Sequence, residues 1–152
     1  MFAVVRPDSW NFPLFVHVAG ATALVATLIL ASFSIRIART RGDQPAAQFA
    51  FRVLWRAALP AYLVMRIGAQ WIASTEKVEN SKDAWLSIGF IVSDMGFVFL
   101  LAGIVLTGLA AKRAKEGASV AGSTGLRVAT AFTGLLVLGY VVAIWAMTTK
   151  PT

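Results

Sequence analysis

The chain has 152 residues, 58% hydrophobic and 14% charged, with fourteen Lys and Arg against seven Asp and Glu. A water-soluble domain carries about 25% charged residues, and the mean hydropathy here is +0.73, so composition excludes an ordinary soluble domain and points to the membrane class. The lack of cysteine excludes disulfides, thiol chemistry and cysteine-held metal clusters. A net charge of +7 would suggest a nucleic-acid partner in a soluble protein. Here the basic residues stand mainly at the ends of apolar runs, where they orient a chain and meet anionic head groups, so the expected partner is the lipid bilayer and not nucleic acid.

Residues 1–10 have no basic region ahead of an apolar stretch and no small-residue cleavage site, so the first apolar helix is expected to stay as a signal anchor. That first span is predicted over residues 12–35. It opens on Trp10-Asn11-Phe12-Pro13, with Asn11 suited to an N-cap and Pro13 to the first turn, where its missing N–H costs nothing. The second span, 57–73, is less apolar and contains Pro60, which should kink the helix or sit in a local irregularity, and Arg66. The outer loop that follows, 74–83, is polar. The third span covers 85–111. A flexible cytoplasmic turn over 117–125 leads to the fourth, 126–147. Spans of these lengths cross a hydrocarbon core of about 30 Å at about 1.5 Å per residue. The expectation is an all-α protein, one four-transmembrane-helix bundle covering residues 1–152.

Arg36, Arg39, Arg41, Arg52 and Arg56 flank the first connection, and Lys112, Arg113, Lys115 and Arg127 the third. The opposite side holds Arg6, Lys77, Lys82 and Lys150. An excess of Lys and Arg marks the cytoplasmic side, so both termini are predicted to be non-cytoplasmic. Trp10, Trp71, Trp85 and Trp145 fall at outer span ends and Trp55 at an inner one, as an aromatic belt requires. Small residues let helices approach in lipid. Gly89, Gly96, Gly103 and Ala110 form a seven-residue stripe in the third span, Gly20 with Ala19 and Ala23 a patch in the first, and Thr130 with Gly134 one in the fourth. The stripe serves either packing within the bundle or a homodimer face.

Three ionisable residues lie within the spans: His17, Arg66 and Asp94. Counted from the outer tryptophans they lie about 7 to 14 Å below the outer interface. Charges at such depth face the bundle interior and pair, so Arg66 and Asp94 are predicted to form an ion pair, with Gln70 and Ser87 on the same faces completing the hydrogen bonding. Two readings follow. The pair pins the second helix to the third, or the cluster of His17, Arg66, Gln70, Ser87 and Asp94 binds a small ligand, quinone, haem edge or proton from outside.

A single histidine cannot supply paired imidazole ligands. Haem would need Met65, Met95 or Met147 as second ligand, a five-coordinate iron, or a dimer. Zinc would need three or four ligands that this chain does not assemble, and a triad of Ser93 or Ser87 with His17 and Asp94 has no supporting elbow motif. No catalytic residue, metal site or cofactor is therefore predicted. The expected role is structural or accessory, or binding of a small ligand at the outer-leaflet polar cluster, with a haem- or quinone-associated redox module using His17 as the alternative; a homo-oligomer or membrane-complex partner is expected.

The segments Leu14-Phe-Val-His17-Val-Ala-Gly20, Val64-Met-Arg66-Ile-Gly-Ala-Gln70-Trp71 and Trp145-Ala-Met147-Thr-Thr-Lys-Pro resemble uncharacterised four-helix membrane proteins of actinobacteria. That resemblance implies a multi-pass protein of the bacterial plasma membrane. His17 near the outer end of a first helix, followed by small residues, is more distantly similar to the copper-resistance-D and protoporphyrinogen-oxidase-like membrane families. Some of those bind haem or metal through several histidines, where this chain has one.

Overall fold

A computed structural model describes residues 11–76 and 84–149, and these are helical with short turns. Helix α1 runs Asn11–Arg41, α2 Gln44–Val53, α3 Leu59–Glu76, α4 Ala84–Lys115 and α5 Thr124–Thr149. Between α2 and α3 the chain makes a π-helical turn, Leu54–Ala58, so residues 44–76 form one continuous rod. Proline explains the wide turn. Pro60 has no N–H for the carbonyl of Arg56, and its ring would clash there. One extra residue in the turn, with the Leu59 N–H bonded to the Leu54 carbonyl, relieves both problems. This is the irregularity expected at Pro60.

The helices overrun the predicted spans. The first connection is only two residues: Gly42 takes a positive φ of 68° that ends α1, and the Asp43 carboxylate accepts from the Ala46 N–H at 3.0 Å to start α2, with Pro45 in the first turn. The connection between α4 and α5, expected to be a flexible turn, is tied down. The Gly122 N–H donates to the Arg39 carbonyl at 3.1 Å, and Val120 is buried. Three helices, Asn11–Arg41, Leu86–Lys115 and Thr124–Thr149, are long and apolar enough to cross a membrane. Of the expected outer loop, 74–83, residues 74–76 continue α3 as helix, while 77–83, Trp10, the side chain of Trp85, and Arg6, Lys77, Lys82 and Lys150 lie outside the described residues.

Four rods run alternately up and down. His17 and Gly20 of α1 lie against Gly68 and Met65 of α3. Asp94 and Gly108 of α4 meet Arg66 and Phe51 of the rod. Gly89 and Gly96 of α4 meet Met147 and Tyr140 of α5. Packing is closest between α1 and α3 and between α4 and α5, while α3 and α4 touch at few points.

Two kinds of glycine contact hold this arrangement. A Cβ on Gly20 would lie 2.5 Å from the Met65 backbone nitrogen, and one on Gly68 would lie 2.6 Å from that of His17. At both positions backbone meets backbone, the close approach that small residues permit. Ala19 and Ala23, grouped with Gly20 from the sequence, are exposed instead. The stripe on α4 works differently. Met147 fills the space over Gly89, Tyr140 and Leu136 that over Gly96, and Leu54 approaches Gly103, so three of its positions serve packing within the bundle. Gly134 meets nothing within 4 Å, so the expected Thr130–Gly134 contact is not made.

These contacts predict that Gly20→Ala and Gly68→Ala each destabilise the protein by about 1–3 kcal/mol through overpacking, while Gly134→Ala does not. Thermal unfolding in a mild detergent measures the difference.

Candidate functional site: the seam between α3 and α4

Where α3 and α4 stand apart, long side chains span the gap. Tyr62 and Arg66 are one turn apart on α3, so they project on one face, as do Phe90, Ser93, Asp94 and Phe97 on α4. The Arg66 guanidinium bonds Asp94 Oδ1 at 2.7 Å and donates to Ser93 Oγ at 3.3 Å. It also lies 5.4 Å from the centroid of the Phe90 ring, within cation–π range. The Tyr62 hydroxyl donates to the Ser93 carbonyl at 3.3 Å, and its ring stacks on Phe97 at 5.2 Å.

The ion pair read from the sequence is therefore formed, but not in the interior. The Arg66 side chain is 30% exposed and that of Asp94 62%. The guanidinium lies in the seam and the carboxylate on the outer surface of the bundle. Apolar surface continues along α4 on both sides of Asp94, with Ile91 62% exposed before it and Val98 57% exposed after it, and Lys112 follows about 27 Å further along the helix.

The other expected members of the cluster do not all converge on the pair. Ser93, considered from the sequence only as a nucleophile, takes the place expected for Ser87, which is exposed. Gln70 is also exposed, one turn along α3 from Arg66. His17 lies in the other seam, where its Nδ1 is 3.0 Å from the Met65 carbonyl. A carbonyl only accepts, so Nδ1 is the donor in this contact. His17 thus connects to the ion pair only through the backbone of α3, and no Ser–His–Asp arrangement forms, since Arg66 engages Asp94 and the Met65 carbonyl engages the imidazole.

Tyr62, Phe90 and Phe97 were missed by sequence reasoning, although their spacing of three or four residues from Arg66 and Ser93 carried the signal. Met65, proposed as a second haem ligand, contacts His17 through its carbonyl. Met95 is exposed on α4, and Met147 reaches the space over Gly89. Among the described residues no cluster of three metal-ligating side chains occurs. One further polar group lies nearby: the buried Tyr140 hydroxyl, over Gly96, has no hydrogen-bond partner among the described residues. No family model, characterised protein or solved structure matches this chain.

If the pair acts as a unit, Arg66→Gln and Asp94→Asn lose stability non-additively. A double-mutant cycle on thermal or denaturant unfolding should give a coupling of about 0.5–3 kcal/mol, the range for groups in contact. Additive losses would mean that the two charges act separately.

Proposed function

We propose that this chain is a four-span structural or accessory protein of a bacterial plasma membrane, with both termini outside, whose Arg66–Asp94 pair clamps α3 to α4. In this reading the pair also presents a carboxylate at the outer leaflet to a small ligand or a membrane partner. The supporting observation is the 2.7 Å ion pair across the sparsely packed seam, with its carboxylate outward. A buried pair would be enclosed by the bundle. An outward one holds two helices together and keeps polar surface for something else.

Three apolar helices support the membrane placement. The fourth crossing is argued from the 44–76 rod. It packs between α1 and α4, runs antiparallel to both, and exposes Leu63, Val64 and Ile67. If α1 and α4 cross in the same direction, the rod between them has to return the chain. The basic excess at the Arg41 and Lys115 ends then favours a cytoplasmic location for those ends.

The cysteine-free chain makes this testable. Single cysteines placed at Ser119 and Ser74 in otherwise native protein should differ in intact cells: the outer position reacts with a membrane-impermeant maleimide, and the inner one only after lysis. Equal labelling of both in intact cells rejects the topology. The accessory role is read from native mass in mild detergent. A complex larger than the monomer, weakened by Asp94→Asn, supports it, and a monomer unaffected by the substitution counts against it.

One observation favours a second reading, a haem- or quinone-associated redox module. An imidazole whose Nδ1–H is held by a backbone carbonyl has its Nε2 oriented, the arrangement common among ligating histidines. An absorption spectrum of protein purified after haem supplementation separates the two. The haem form of this reading requires a Soret band that disappears in His17→Ala; no band in the wild type removes that form.

A further inference from the structure

The opposite end of the bundle contains a second feature, on the basic side. Between α2 with its π-helical turn and α4 lies a half-open cavity of about 480 Å³. Arg52 and Arg56 line it from one rod, and Lys112 and Lys115 from the other. Its aromatic walls are Phe51 and Trp55. Positions 48, 51, 52, 55 and 56 recur at helical spacing, as do 108, 111, 112 and 115, so two helix faces converge on one groove. The Phe51 ring packs on Gly108, where an added Cβ would lie 3.0 Å from it.

We propose that this groove binds the phosphate of an anionic phospholipid head group of the inner leaflet. The inference rests on the membrane reading above and goes beyond it by assigning a ligand. The positive-inside pattern explains why Lys and Arg are abundant at this end. It does not explain why four of them line one cavity, since Arg36, Arg41, Arg113 and Arg127 satisfy the same rule elsewhere. The nearest acids in sequence have other settings: Asp43 caps α2, and Glu116 lies exposed beyond the end of α4. Among the described residues none of the four cations is paired with a carboxylate, the one ion pair being Arg66–Asp94. Four unneutralised cations around one space favour an anion with several acceptor oxygens, which phosphate supplies and to which guanidinium groups bind bidentately.

A lipid fits better than free phosphate because the groove continues into apolar surface. Val98, Leu101, Val105 and Leu109 are exposed along α4 on the way from the groove toward the ion pair, and present hydrocarbon where acyl chains would run. Trp55, half exposed beside the cations, is the amphipathic ring that favours the level of head groups. A site with cations above, an indole at the boundary and an aliphatic strip below matches an amphiphile from end to end.

The test titrates the purified full chain in neutral detergent with phosphatidylglycerol, phosphatidylcholine or inorganic phosphate, reading bound species by native mass spectrometry. Phosphatidylglycerol is expected to bind at least about tenfold tighter than either alternative. Arg52→Gln/Arg56→Gln/Lys112→Gln should weaken it at least about tenfold, while Arg36→Gln/Arg41→Gln/Arg127→Gln, removing the same charge away from the groove, changes it less than about threefold. Lys112→Gln/Lys115→Gln, at two exposed side chains, provides the same reading should the first triple variant not fold. Equal losses from both triple variants, equal affinity for phosphatidylcholine, or equal affinity for inorganic phosphate would each overturn the proposal. Failure of the membrane reading looks different: alkaline carbonate would then strip the chain from membranes, whatever lipid it prefers.

Discussion

The close approach of α1 and α3 at Gly20 and Gly68 is the constraint on which the rest of the arrangement depends. At both points a backbone lies where a Cβ would have to be, so α3 rests directly on α1 with no side-chain layer between. A helix drawn this close to one neighbour has less surface to share with the next, and α3 and α4 touch at few points. The gap requires side chains long enough to bridge it. Tyr62 and Arg66 meet this need, and each ends on a polar group of α4 that satisfies it. The ion pair follows from the glycines: with α3 nearer to α4, a guanidinium beside Ser93 and Asp94 would have no room.

The same packing accounts for the different setting of His17. Its backbone forms the surface on which Gly68 rests, so the imidazole enters the α1–α3 seam and finds the Met65 carbonyl, a group already engaged in its own helix but with a second lone pair. The hydroxyl groups of the apolar segments follow a similar economy. Thr27, Ser34, Thr107 and Thr133 each donate to a carbonyl one turn back, which satisfies the hydroxyl without a neighbouring helix or water. Polar groups in this bundle are thus satisfied mainly within their own helix or against its immediate neighbour, and Tyr140 stands out because its hydroxyl finds no partner among the described residues.

Much of this was legible in the sequence, because its strongest signals are local. Apolar length announced four spans, of which three are helices long and apolar enough to cross a membrane, Pro60 announced an irregularity in the rod, and two opposite charges in apolar surroundings announced their own pairing. The features that escaped depend on how helices are rotated against one another. Gly68 follows Ala61 at the same seven-residue spacing as the α4 stripe, but two positions make a weak signal, and only α1 beside them shows the contact. Ser87 and Ser93 are both within two turns of Asp94, and only the splay of the seam selects Ser93. Gly134 resembles Gly20 in sequence yet faces open space, since small size permits a close approach without requiring one. The 117–125 stretch suggested flexibility by composition, but Val120 and the bond from Gly122 to Arg39 anchor it, and both partners are remote in sequence.

The exposure of the ion pair sets its chemistry against its apolar surroundings. A carboxylate facing hydrocarbon at mid-depth would carry a penalty of several kcal/mol, which an ion pair with a guanidinium in the seam offsets only in part. Asp94 and Lys112 are about 27 Å apart along α4, so the ion pair and the cationic cavity stand toward opposite ends of the bundle. The two ends differ in kind. At one, charge is neutralised within the protein, and what remains is a dipolar contact across a seam. At the other, four cations surround a cavity without a carboxylate partner, and their compensation has to come from outside the described chain. A neutral end and a cationic end on the same bundle give it an electrical polarity, and the proposed orientation rests on that asymmetry.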